Sequence, residues 1–207
     1  MLVAACGGGA TPDATCGPTI VYLDQLGGAY DHGSVDDATA NLSVLVDQPR
    51  TLPAWDGPDW ASLTDCIRTA LAPFPITVTE VDPGAVQHVE IVFTTSYWAG
   101  DPGTSVIVPS NCRDDHQLEF VFGDALPTFT RACQIAMIGF AEMTANLTLG
   151  DNCNDLVNLA QDCAPQRAFV DQTVNCVDDS DQPAACRCGG TSENVFQTLA
   201  ARFPTCP

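Results

Sequence analysis

The chain has 207 residues, enough for one domain with a small appended subdomain and a sizeable core. Apolar residues make up 45% and charged residues 16%; 26 acidic side chains face 7 basic ones, all arginine, for a net charge of -19. Such a field repels phosphate backbones and anionic lipid surfaces, which argues against nucleic acid as a partner and leaves solubility or cation binding as its uses.

The chain opens "MLVAACGGGATPDATCGPT". Leu2-Val3-Ala4-Ala5-Cys6 resembles a bacterial lipobox, and the glycines behind it resemble the flexible tether of a lipoprotein. Residues 1–16 are therefore expected to be a truncated lipoprotein signal and tether, with Cys6 lipidated. There are eleven cysteines, so setting Cys6 aside leaves ten disulfide candidates: Cys16, Cys66, Cys112, Cys133, Cys153, Cys163, Cys176, Cys186, Cys188 and Cys206. Their density in a lysine-free acidic chain points to an oxidising compartment. A thiolate metal site is the rival use, but Cys186-Arg187-Cys188 is the only tight pair, and no CxxC motif occurs. No segment reaches the ~18 consecutive apolar residues of a membrane span, so membrane contact is expected only through a lipid anchor.

Residues 17–150 read as the main domain. Thr19-Ile20-Val21-Tyr22-Leu23 is a β-rich run and the expected first strand. "DQLGGAYDHGSVDDATANLS" reads as a polar loop. In "DWASLTDCIRTALAPF" apolar residues recur at Trp60, Leu63, Cys66/Ile67 and Ala70/Leu71, the stripe of an amphipathic helix that Pro73 and Pro75 stop. "ITVTEVDP" alternates as a half-buried strand does, and "HVEIVFTT" follows with Val89, Ile91 and Phe93 on one face. "TSVIVPSNC" and "QLEFVFGD" are two more short strands. A long helix is expected from about Ala125 to Leu149, capped by Asp124, and its segment "ACQIAMIGFA" is apolar nearly all round, as in a buried helix. Residues 151–207 carry six of the eleven cysteines and read as a disulfide-stapled subdomain ending in one short helix, capped by Thr191 or Ser192 and stopped by Pro204.

The order is strand, helix, four strands, long helix, cysteine-rich tail: an α+β plan with a mixed sheet. It resembles the metzincin-like zinc metallopeptidases, in particular secreted bacterial members. The matching stretches are Tyr22-Leu23-Asp24-Gln25-Leu26-Gly27-Gly28, Ala72-Pro73-Phe74 before Ile76-Thr77-Val78-Thr79, Glu119-Phe120-Val121-Phe122, and Cys186-Arg187-Cys188-Gly189-Gly190 with Asn194. They span roughly residues 19 to 200. In that family the long helix carries HExxHxxGxxH: two histidines at i and i+4 grip zinc, and the glutamate between them is the general base. Laid on this helix, the first His becomes Ile138, the Glu becomes Gly139 and the second His becomes Glu142. The Gly becomes Ala145 and the third His becomes Thr148. A second register puts Met143, Thr144 and Leu147 at the His, Glu and His positions. Every zinc role is vacant in both.

The resemblance thus implies a retained helix with a rewritten catalytic face, and no catalytic residue. Glu142 is read as a solvated carboxylate at the cleft edge, a buried acid bonded to backbone, or a remnant metal ligand. His116 is the other weak metal candidate, with Asp114 and Asp115 beside it; His32 and His88 lack ligand spacing. "VDDSD" reads as a solvated loop. There is no G-x-S-x-G, P-loop or dinucleotide fingerprint. The expected function is that of a bacterial cell-envelope lipoprotein, lipid-anchored or secreted. It would be a pseudopeptidase needing no cofactor, binding an unknown protein or peptide or serving a structural surface role. The alternative is an active zinc metalloendopeptidase with non-standard ligands.

Overall fold

The structure is a computed structural model that describes residues 19–57, 59–95, 105–109, 112, 116–159, 167–178 and 180–204. Cys6, Cys16, Cys163 and Cys206, the tether, and Asp114 and Asp115 lie outside the described residues. The described chain runs β1 (Thr19–Asp24), β2 (Gly28–His32), β3 (Leu42–Ser43), β4 (Arg50–Leu52), α1 (Trp60–Leu71), β5 (Ile76–Thr79) and β6 (Val89–Thr94). It continues through β7 (Val106–Ile107), β8 (Leu118–Phe122), α2 (Phe129–Ala145), β9 (Leu149–Gly150), β10 (Val174–Val177), β11 (Ser192–Glu193) and α3 (Val195–Arg202).

This is a mixed α+β fold. The main sheet has the order β5-β1-β6-β8-β7, with the first four strands parallel and β7 antiparallel at one edge. Parallel strands need cover on both faces, and β6 and β8 are buried along their whole length. One face carries Val21, Leu23, Ile91, Phe93 and Val121 into the core shared with α1 and α2. The other carries Val92, Leu118, Phe120 and Phe122 against Tyr30, Val46 and Leu52.

That second cover corrects the sequence reading. The stretch 24–43, expected to be a loop, contains β2, β3 and a short 3-10 turn at Ala38–Ala40. With β4 they form a small sheet, order β3-β2-β4, roofing the main one. The chain reverses after β1 at Gly27, whose φ of 64° suits glycine, and Tyr30 then turns inward.

α1 forms where expected. Asp59 accepts from the Ser62 amide at 3.2 Å, and Leu63, Ile67, Ala70 and Leu71 bury its stripe. α2 is shorter than expected. Asp124 sits in a 3-10 turn instead, Leu126 is extended before Pro127, and Thr128 caps the helix by accepting from the Arg131 amide at 3.2 Å. It ends at Asn146 in the left-handed region, φ 55°. Twelve of its 17 residues are buried, as a helix apolar all round requires. Its bridge to α1 is Cys66–Cys133.

The tail packs on this core. Cys112–Cys188 and Cys176–Cys186 are further bridges, and Cys153 is also disulfide-bonded. α3 is capped by Asn194, not Thr191 or Ser192, because the Asn194 side chain reaches the Gln197 amide at 3.0 Å while Ser192 pairs in β11. Val195, Leu199 and Phe203 join the main core, with the Phe203 ring stacked on Phe140 at 5.7 Å. No helix among the described residues is long and apolar enough to cross a membrane.

Candidate functional site: the outer face of the long helix

α2 presents Ile138, Glu142 and, past its end, Thr148 to the tail. Ile138 is buried against Leu149 and Val177. Glu142 Oε2 accepts from Arg187 Nη2 at 2.9 Å, with the two side chains 16% and 22% exposed. The backbone of the same Arg187 donates to Thr148 Oγ1 at 2.6 Å. The Thr148 amide donates to Glu193 Oε1 at 2.5 Å. Arg187 therefore grips two of the five positions of the degenerate signature, one with its side chain and one with its backbone. A solvated Glu142 at an open cleft edge is corrected: the carboxylate is largely covered and meets a guanidinium. Burial pushes the Glu193 carboxyl up from its ordinary value, against the pull of the Thr148 amide and Arg187.

The inner face is more unusual. Glu119 points from β8 toward α2, completely buried, and neither of its carboxylate oxygens has a hydrogen-bond partner among the described residues. Burial, with Glu142 as a second cause, drives its carboxyl well above the usual range. It fits because α2 has a glycine opposite. A Cβ on Gly139 would lie 2.8 Å from Glu119 Oε1 and 2.8 Å from Val106 Cγ2. At Gly139, side chains of β7 and β8 therefore leave α2 no room for a Cβ.

These groups do not fit zinc. A zinc site needs three or four lone-pair donors converging at about 2 Å. Ile138 and Gly139 offer none, Thr148 is engaged by the tail, and Glu142 faces a cation. The histidines are held apart by separate partners. His32 Nδ1 lies 2.7 Å from the Val46 carbonyl and His88 Nδ1 lies 2.6 Å from the Val86 carbonyl. His116 Nδ1 lies 2.8 Å from Asp36 Oδ2, both buried. Asp36 Oδ1 in turn accepts from Ser43 Oγ at 2.9 Å. That hydroxyl serves the carboxylate and not the imidazole, so the trio is no nucleophilic relay. Among the described residues, metal-ligand atoms converge in a group of three only at Cys176, Cys186 and Glu193. Its two cysteines form a disulfide and have no thiolate to give.

A second buried acid group lies under the small sheet. Tyr30 Oη is 3.0 Å from Asp24 Oδ2 and 2.8 Å from Glu90 Oε1, and Tyr22 Oη donates to Asp24 Oδ1 at 3.3 Å. Tyr30 has one hydroxyl proton for two carboxyl contacts, so one carboxyl must supply the other. Asp24 also receives the Leu26 amide at 2.8 Å, which favours its charge. Burial pushes Glu90 up to about 8. Burial raises the Asp24 carboxyl as well, so the Tyr30 hydroxyl lies between two acids that both hold their protons more tightly than in water. In "VDDSD", Val177 is buried at the end of β10, while Asp178, Ser180 and Asp181 are exposed, and Asp178 accepts from the Ser180 amide at 2.8 Å.

Comparison of the chain with protein-family models, with curated proteins and with solved structures returns no match.

Sequence reasoning missed Glu119, Arg187, Asp36 and the Asp24–Tyr30–Glu90 group. Two signals were available. Glu119 interrupts an otherwise apolar run, and Glu90 sits among Val89, Ile91, Val92 and Phe93, so both acids had to be buried in a parallel strand.

Proposed function

We propose that the chain is a non-hydrolytic relative of the metzincin-like metallopeptidases, exported to a bacterial envelope and lipid-anchored through Cys6. It serves as a structural or protein-binding surface component. The observation that carries this reading is Arg187 seated on Glu142 and Thr148. The tail lies where the resemblance puts a substrate cleft, which favours contact through the outer surface over capture of a peptide in that cleft. The order of α1, the strands β5 to β8 and the long α2 supports the resemblance, with β2, β3 and β4 added between β1 and α1, and the disulfides fit maturation outside a reducing compartment.

The deciding experiment is zinc stoichiometry on the oxidised full-length chain after excess zinc and removal of free metal, together with a peptide-hydrolysis assay. The expected result is no retained zinc and no cleavage. Retention of about one zinc per chain, lost in Glu142→Ala and accompanied by cleavage, overturns the proposal in favour of an active zinc metalloendopeptidase with non-standard ligands.

A further inference from the structure

β2 meets the main sheet through one side chain. Tyr30 is the buried residue of that strand, and its ring meets Phe120 edge-on at 5.3 Å. β3 and β4 pair with β2, so the seat of Tyr30 bears on all three strands. Beneath them lie Val92, Leu118, Phe120 and Phe122, which Tyr30, Val46 and Leu52 cover.

The Tyr30 hydroxyl sits between two acids, 3.0 Å from Asp24 Oδ2 and 2.8 Å from Glu90 Oε1. A phenol has one proton to donate. With both carboxyls ionised, one of those contacts would set an oxygen lone pair against a carboxylate, so the closed geometry needs one carboxyl proton. Nothing around the site takes its place. Tyr22 faces it from β1 beside Asp24, Asp82 acts on it from the segment after β5, and β8 lies alongside β6 with apolar Leu118 and Phe120. His88 meets Tyr22 edge-on, 6.0 Å between rings, with its Nδ1 against the Val86 carbonyl. Among the described residues no guanidinium acts on Glu90, and Asp24 and Asp82 add repulsion. Glu90 Oε2 is buried and has no partner among the described residues, so a charge there would have neither cation nor water.

We propose that the Asp24–Tyr30–Glu90 group is a proton-operated latch on the small sheet: with the shared carboxyl proton in place β2 stays seated, and loss of that proton lets β2, β3 and β4 lift locally from the main sheet. The proton passes from a carboxyl to water or a buffer base as the site opens, so opening and proton release are one event. Tyr30 keeps its own proton, because burial and both acids oppose a phenolate. Burial raises both carboxyls, so the closed form binds the proton more tightly than the open one. The closed form is therefore most favoured in acid. Opening becomes easier by up to about tenfold per pH unit as pH rises, and levels off once Glu90 titrates at about 8. Lifting uncovers the apolar face of Val92, Leu118, Phe120 and Phe122. The latch is independent of the peptidase resemblance.

The test is hydrogen exchange on the oxidised full-length chain from about pH 5 to about pH 8, corrected for the intrinsic pH dependence of amide exchange. Protection over 28–52 is expected to fall by about tenfold per pH unit and to stay below that of α1 and α2 at each pH. In Asp24→Asn/Glu90→Gln, whose amides donate and accept without titrating, that slope should be lost. The variant leaves Tyr22, Asp82 and the His116–Asp36 contact intact, so a slope owed to them would persist and overturn the proposal. Should the variant fail to fold, the natural chain decides. Protection over 28–52 that does not change with pH overturns the latch. So does protection equal to that of α1 and α2 at every pH, because only global unfolding would then expose the group.

Discussion

Glu90→Gln isolates the proton held beneath the small sheet. The carboxyl titrates at an ordinary value of 4.5 when unfolded and at about 8 in the folded chain. A raised folded value means that the native state binds the proton more tightly, so its contribution is complete below pH 4.5. Between 4.5 and about 8 the unfolded chain releases the proton and the folded chain does not. Stability then falls by about 1.4 kcal/mol per pH unit, about 5 kcal/mol at most across the window. Glutamine is isosteric and keeps an oxygen that accepts from Tyr30 Oη, so the contact between position 90 and Tyr30 survives the change while the titrating proton does not. Tyr22, Asp24, Tyr30 and Asp82 are the titratable groups that shape the Glu90 site, and all remain in the variant. The assay is denaturant unfolding with disulfides intact, at fixed pH values from 4 to 9. The natural chain should lose stability steeply toward pH 8 and the variant less so, with the difference between them drifting by several kcal/mol. A residual slope is expected in both, because burial also raises Asp24, Glu119, Asp155 and Glu193. Parallel curves across the whole range would refute the assignment of the proton to Glu90.

Three substitutions probe the long helix by the same unfolding assay. Gly139→Ala gains about 1 kcal/mol of helix propensity but drives a methyl into Glu119 and Val106, for a net loss of about 1–3 kcal/mol; adding Glu119→Ala should recover part of that loss. Glu119→Met replaces a buried acid that has no partner among the described residues by an apolar chain of similar length and should stabilise by about 1–3 kcal/mol at neutral pH, and a loss of stability would mean that the carboxyl has a partner. Arg187→Ala removes the cation from a largely covered Glu142 and should cost about 1–3 kcal/mol. The double change Arg187→Ala/Glu142→Gln should cost less than the single one, and additive losses would count against the ion pair.

The main sheet and both long helices were legible because their residues repeat at a period the backbone imposes. Ile91 and Phe93 alternate, and Leu63, Ile67 and Leu71 recur along one stripe. The small sheet was not legible, since β2 reads Gly-Ala-Tyr-Asp-His and only Tyr30 points inward. A single buried ring gives no period. The start of α2 was misplaced because Asp124 and Thr128 are both good caps, and the extended Leu126 before Pro127 decides between them. The face of α2 could be laid out from sequence, but its cover could not. Arg187 is 45 residues from Glu142, and His116 is 80 from Asp36. Nothing local in "ACRCGG" says which carboxylate the arginine will meet.

The seat of Arg187 also sets an order on how the chain can mature. A chain delivered from its N-terminus presents α2 well before residue 187, because 45 positions separate the arginine from its glutamate. During that interval Ile138 and the Thr148 amide have none of the cover that Val177 and Glu193 later give them. The sheet and the two bridged helices can assemble early, but the outer side of α2 must wait for the last segment to arrive. A halted or clipped chain would therefore expose a sticky, half-finished surface that quality-control proteases and chaperones recognise.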